Sequence, residues 1–171
     1  MKVIQAVCGE IPSEIVPCLN SVKRVYPQVE LFRLPNSDVP LCVTDKWRWE
    51  MMCKYDDVLY IDWDFLVSEE ISFLNNGYSS AVYFRGAPDN CLMYSPNKKI
   101  FKEFEKDRVE RGISFRTMSW HRKVMRGKKV NEVLESKNLF HARVSGFKEL
   151  VRQYEQVKQE FQHVQKCICR K

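Results

Sequence analysis

The stretch KYDDVLYIDWDFLV, Lys54–Val67, decides how this chain folds. Val58–Ile61 is a short, uncharged apolar run, the pattern of a strand covered on both faces. It ends on two carboxylates, Asp62 and Asp64, with Trp63 between them. Open α/β sheets bind ligands beyond the carboxyl ends of their strands. Side chains two apart on an extended chain point the same way, so the spacing predicts that both acids converge on one cation. Two adjacent buried carboxylates repel, and each is costly to desolvate alone. A divalent ion removes both penalties, and hard oxygen donors suit Mg²⁺ or Mn²⁺ rather than zinc. A surface turn with two exposed acids is the alternative.

Outward from this stretch, strands and helices alternate, which predicts an α/β class. KVIQAV, residues 2–7, reads as the first strand. Pro12, Ser13 and Pro17 open a helix with apolar Ile15, Val16, Leu19, Val22 and Val25 at helical spacing, stopped near Pro27. VELFRL, residues 29–34, is a second strand. Thr44 or Asp45 is placed to cap a helix running to about Lys54. SAVYF and CLMYS are two further strands around a polar turn containing Gly86, Pro88 and Asp89. Helices are expected at about 98–110 and 116–126, a last strand at NLFHA, and a terminal helix at about 147–168. Apolar Phe147, Leu150, Tyr154, Val157, Phe161 and Val164 give that helix one stripe, suited to core packing or to a homodimer seam.

At 171 residues the chain is expected to form one domain, 1–171, of minimal size, without repeats or linkers. An apolar share of 44%, with six glycines and seven prolines, excludes a disordered or fibrous chain. No apolar run approaches the roughly 20 residues of a membrane span. The first residues lack the apolar core of a signal peptide and read as a strand, so a cytoplasmic location is expected. The seven cysteines form no CxxC pair and read mostly as reduced, buried side chains.

The net charge of +6 is uneven. Arg111–Val130 holds seven Lys or Arg and no Asp or Glu. Such a stretch is either a solvated face or a surface for an anionic acceptor, a diphosphate or a membrane, the last implying peripheral association. No nucleic-acid-binding motif accompanies it, so nucleic acid is not an expected partner.

YIDWD resembles the Asp-x-Asp motif of GT-A fold glycosyltransferases. KYDDVLYIDWDFLV, followed by SEEISFL, is similar to the glycogenin-like and galactosyltransferase-like group. TDKWRWEMMCKY resembles the Asp-x-x-Arg-aromatic segment of the clostridial toxin and capsule-sugar transferases, with Asp45 and Arg48 at the matching positions. The chain departs from that group at Asp56–Asp57, where the group has two glycines. PDNCLMYSP resembles a later strand of the same fold, with Cys91 in place of a glycine. LFHARVSGFKEL resembles the glycogenin-like end motif, with His141, Gly146 and Lys148 as counterparts. Together these segments span about residues 2–148.

The resemblance implies a GT-A-like domain with a mixed, mainly parallel sheet flanked by helices. It implies a metal-dependent transferase that moves a sugar from a nucleoside-diphosphate sugar to a glycan, protein or other acceptor. Mn²⁺ or Mg²⁺ would be held by Asp62, Asp64 and His141, and Lys148 would meet the diphosphate. Asp45 would accept hydrogen bonds from sugar hydroxyls and Arg48 would donate to sugar or phosphate; an ordinary helix ion pair between them is the alternative. Asp89 and Asn90 would lie near the acceptor, with Asp89 a general base if configuration inverts. The glycogenin-like and toxin-like groups imply retention instead.

Two other functions compete. A haloacid-dehalogenase-type phosphohydrolase also uses Asp-x-Asp after a strand, but normally on the first strand of its domain; about 60 residues precede Asp62 here. A basic, non-enzymatic module would bind nucleic acid or a partner protein through Arg111–Lys129, without metal and with strong salt dependence.

Overall fold

The computed structural model describes residues 1–38, 40–71, 79–83, 87–117, 120–126, 128, 131–133 and 139–141, with side chains except at 14, 79–83, 87–89, 131–133 and 139–141. The expected class is found: a mixed, mainly parallel sheet between layers of helix. The strands are β1 (Lys2–Cys8), β2 (Glu30–Leu34), β3 (Val58–Ile61), β4 (Phe65–Val67), β5 (Ser79–Tyr83), β6 (Ala87–Ser95), β7 (Asn131–Val133) and β8 (Leu139–His141). The helices are α1 (Val16–Val25), α2 (Pro40–Lys54), α3 (Lys98–Glu110) and α4 (Trp120–Met125), with a 3-10 turn at Ser13–Ile15. Six strands form one sheet in the order β2-β1-β3-β6-β5-β7, and β4 pairs with β8 apart from it.

β3 is central because all four of its side chains are apolar and buried, so both faces can be covered. Period-two alternation then splits the core. Ile4, Val58, Tyr60 and Met93 pack under α2, α3 and α4 against Trp49, Met52, Phe101 and Trp120. Val3, Leu59, Ile61 and Leu92 pack on the other face against Val22 of α1, Tyr26 just beyond it, and Phe65 and Val67 of β4. Each fully buried large apolar side chain contributes about 1.5–3 kcal/mol.

β1, β2 and β3 are mutually parallel, so their carboxyl ends share one edge. β6 runs antiparallel to β3, with Ile61 opposite Leu92, so its beginning reaches that same edge. Cys8 Sγ donates to the Pro35 carbonyl at 3.0 Å across this edge. Gly9 leaves β1 at φ +85°, and a Cβ there would stand 2.8 Å from Asn36 Oδ1. The left-handed backbone favours glycine, and a side chain there would also displace Asn36.

Several expected boundaries move. α2 begins at Pro40, not at a Thr44 or Asp45 cap. Proline is preorganised for the first helical position, and Thr44 instead returns its hydroxyl to the Pro40 carbonyl at 2.9 Å. Pro88 and Asp89 belong to β6 rather than to the turn before it, where Pro88 pairs with Val82 of β5. The helix expected at 116–126 is α4, beginning at Trp120. β4 and β7 were not anticipated; three residues each carry too little periodicity to read. The helix expected at about 147–168 and Lys148 lie outside the described residues.

Among the described residues no helix is long and apolar enough to cross a membrane. Of the five described cysteines, Cys18 and Cys91 are buried as expected, whereas Cys8, Cys42 and Cys53 are half-buried.

Candidate active site

The Asp62–Asp64 segment is a tight turn between β3 and β4, closed by Phe65 N donating to the Asp62 carbonyl at 3.4 Å. The extended geometry expected to align the two acids is therefore absent: the backbone reverses to start β4. The acids are nevertheless not exposed. Asp64 is 7% exposed, and the Asp62 side chain 16%. Asp62 N donates to the Cys91 carbonyl at 2.7 Å, and Gln5 Nε2 donates to the Asp62 carbonyl at 3.2 Å. Neighbours on both sides in the sheet thus pin this turn. Asp64 lies near the Cys18 thiol, which burial first and the Asp64 charge second push well up.

Arg48 of α2 organises the site. Its side chain is 4% exposed. Nη1 donates to the Asn90 carbonyl at 2.8 Å and lies 3.2 Å from Asp62 Oδ1. Nη2 lies 3.1 Å from Asp45 Oδ1, one helical turn back. Below it, the Tyr60 ring receives the guanidinium at 4.9 Å, and the Tyr60 hydroxyl donates to Asp62 Oδ1. Burial alone would lower the Arg48 pKa; Asp62, Tyr60 and Asp45 outweigh it and raise the pKa, so the cation persists. Burial also lifts Tyr60 well above the usual phenol range, opposed by Arg48 and reinforced by Asp62.

Asp45 is fixed from three sides. Oδ1 also accepts from Asn90 Nδ2 at 3.0 Å, and Oδ2 accepts from Trp120 Nε1 at 2.8 Å. A carboxylate oxygen accepts two hydrogen bonds, so Oδ2 keeps an acceptor site among the described residues, on a side chain 19% exposed.

The expected residues Asp45, Arg48, Asp62 and Asn90 therefore meet at one edge of the sheet, while Asp64, two residues on in the same turn, lies toward Cys18 of α1. The ion pair Asp45–Arg48 exists, and Arg48 extends it to Asp62. Asp89 lies in β6, one residue before Asn90, with its backbone at the same edge. His141 lies in β8 with its backbone directly opposite Phe65, one residue from Asp64. Trp47 and Trp49 are packing residues, against Phe32 at 4.8 Å and Phe101 at 4.7 Å; Trp63 is half-buried in the turn. Tyr60 and Trp120 were not anticipated in the site. Tyr60 lies two residues before Asp62 on the strand, which offered a signal; Trp120, 75 residues from its partner, offered none.

A divalent ion suits the donor set in type, since Asp64 and Asp62 supply hard oxygens at a sequestered turn. Among the described residues no group of three potential ligands comes together.

The Asp56–Asp57 departure has a local explanation. Asp57 has φ +46°, a left-handed conformation natural to glycine that aspartate tolerates better than most residues. Its carboxylate takes the Tyr94 hydroxyl at 3.1 Å and the amino terminus at 2.7 Å.

No family model and no curated protein matches the chain. Solved structures do. The STIV protein A197 aligns over 84% of this chain and 86% of its own, at 15% identity and a TM-score of 0.51. A glycosyltransferase involved in glycosylation of the major capsid of PBCV-1 aligns over 89% of this chain and all of its own, at 10% identity and 0.49. An active-site mutant of LgtC aligns over 78% and 72%, at 14% identity and 0.49. At these identities the likeness is one of fold, carried by the A197 alignment.

Proposed function

We propose that this chain is a GT-A-like, metal-dependent glycosyltransferase that moves a sugar from a nucleoside-diphosphate sugar to a glycan or protein acceptor. The observation that carries the proposal is a single cluster: Arg48 ties Asp45, Asp62 and the Asn90 backbone together at the carboxyl edge of the sheet. A merely structural helix pair needs only two of these groups. The sequence resemblance assigns a sugar-nucleotide role to the same residues.

In this proposal Asp64 would hold Mn²⁺ or Mg²⁺, with Asp62 directly or through water, and His141 of β8 would complete the set. When bound there, the cation supplies Lewis-acid stabilisation for charge developing on the leaving diphosphate. Asp45 accepts a sugar hydroxyl at its remaining Oδ2 site. Arg48 acts differently from the expected direct donor. Buried behind the carboxylates, it orients Asp45 and Asp62 and offsets their charge. Asp89 stands at the acceptor side, a general base if the reaction inverts, and Lys148 meets the diphosphate.

A thermal-shift screen with UDP- and GDP-sugars, with and without Mn²⁺, tests the proposal. Selective stabilisation by one nucleotide sugar, dependent on Mn²⁺, is expected. Indifference to every nucleotide sugar in both conditions would contradict it.

A further inference from the structure

Resting on the transferase reading, we infer that a basic groove beside Asp45 receives the oxyanion of an acidic acceptor saccharide. An open groove of about 290 Å³ lies between α2 and the segment after α3, lined by Cys42, Val43, Lys46, Arg108, Phe115 and Arg116. Its cations differ in kind. Arg108 is part of the floor: it holds Glu105 through two 2.7 Å bonds and stacks on Phe115 at 4.2 Å. Its charge is already matched by that carboxylate. Lys46 and Arg116 stand at the surface. Among the described residues, Lys46 meets an acid only in an exposed, 3.7 Å contact with Glu50. Arg116 is exposed and meets no acid among the described residues. Cations so placed can take an incoming carboxylate, sulfate or phosphate without losing a structural partner.

The groove is coupled to the site by position. Cys42 and Asp45 lie at i, i+3 on one face of α2, about one helical turn of 5.4 Å apart. Phe115 packs on Trp120 at 4.7 Å, and Trp120 holds Asp45 Oδ2. A saccharide seated on Phe115 with its anion on Lys46 and Arg116 therefore ends near the carboxylate assigned to the donor sugar. Aromatic floor with cationic rim also suits a sugar ring that carries an acidic substituent.

The test is a titration of the full chain with oligogalacturonate, a sulfated dextran oligomer and neutral cellohexaose, repeated with Lys46→Ser/Arg116→Ser. Both acidic oligomers should bind at least tenfold more tightly than cellohexaose. The double variant should lose about tenfold of that affinity, two surface charge contacts' worth, and keep wild-type melting and nucleotide-sugar stabilisation. Equal binding of acidic and neutral oligomers, or affinity unchanged in the double variant, would overturn the inference while leaving the transferase reading intact. Single-stranded DNA or phosphatidylserine vesicles binding more tightly than the saccharides through the same two residues would also overturn it, in favour of a general polyanion surface. Loss of nucleotide-sugar stabilisation by the wild-type chain would instead strike the transferase reading.

Discussion

Arg48 Nη1 lies 3.2 Å from Asp62 Oδ1, in a side chain only 4% exposed. The same group donates to the Asn90 carbonyl at 2.8 Å. A guanidinium buried this deeply is tolerable because acceptors surround it, and those acceptors are tolerable because of it. The site therefore behaves as one electrostatic unit rather than as separate ligands.

Removing the cation should be costly. Arg48→Met leaves Asp45 and Asp62 partly buried without their counter-charge, and a loss of about 3–5 kcal/mol is expected. Arg48→Lys should recover only part, because an ammonium cannot span three acceptors as the planar fork does. Urea denaturation measures both. A loss for Arg48→Met under ~0.5 kcal/mol, the range of an ordinary surface substitution, would show that Arg48 does not hold the unit together.

Trp120→Phe keeps an aromatic ring against Trp49 and Phe115 but deletes the N–H that holds Asp45. About 1–2 kcal/mol of stability should be lost, with a several-fold fall in nucleotide-sugar affinity. Asn90→Ala should act in the same direction, since it leaves the other Asp45 oxygen to Arg48 alone. Unchanged donor affinity in Trp120→Phe, measured by calorimetry, would make its hydrogen bond purely structural.

The acid limb of stability should report Glu105. Burial raises its carboxyl, but the hydrogen bonds from Arg108 and Trp49 and the Arg108 charge outweigh this, so it lies below its ordinary value. A depressed carboxylate contributes stability above its unfolded pKa and loses that contribution as pH falls through the folded one. Glu105→Gln should therefore be less stable than wild type at pH 7, with the difference closing as pH falls below about 4.5. Melting curves from pH 7 to pH 3 check this. A gap that widens toward acid would reverse the assignment.

His141→Ala should weaken Mn²⁺ binding without a large change in melting temperature. The backbone of His141 faces Phe65 across a two-stranded ladder, so the substitution leaves the pairing intact. Manganese titration followed by electron paramagnetic resonance gives the affinity. Wild-type affinity in the variant would remove His141 from the ligand set.

Much of this arrangement was legible in particular residues. Val58–Ile61 announced a strand covered on both faces, and Asp62 at its end marked the sheet edge where Arg48 gathers its carboxylates. Asp45 and Arg48 were readable as a pair because helical spacing brings i and i+3 together. The turn at Asp62–Phe65 was not readable, since a backbone hydrogen bond closes it rather than a glycine or proline. The α2 start was misplaced because a proline signal at Pro40 competed with the capping residues Thr44 and Asp45. Trp120 could not be found at all: its hydrogen bond to Asp45 is created by tertiary packing alone.

The proposed metal role of Asp64 and Asp62 makes nucleotide-sugar binding depend on a divalent ion. Calorimetric titration of the nucleotide sugar selected by thermal shift, with and without Mn²⁺, into wild type and Asp64→Asn addresses it directly. Wild type should bind only with Mn²⁺, and a folded Asp64→Asn chain should lose that binding. Equal donor affinity in the two proteins, or wild-type binding indifferent to Mn²⁺, would contradict it.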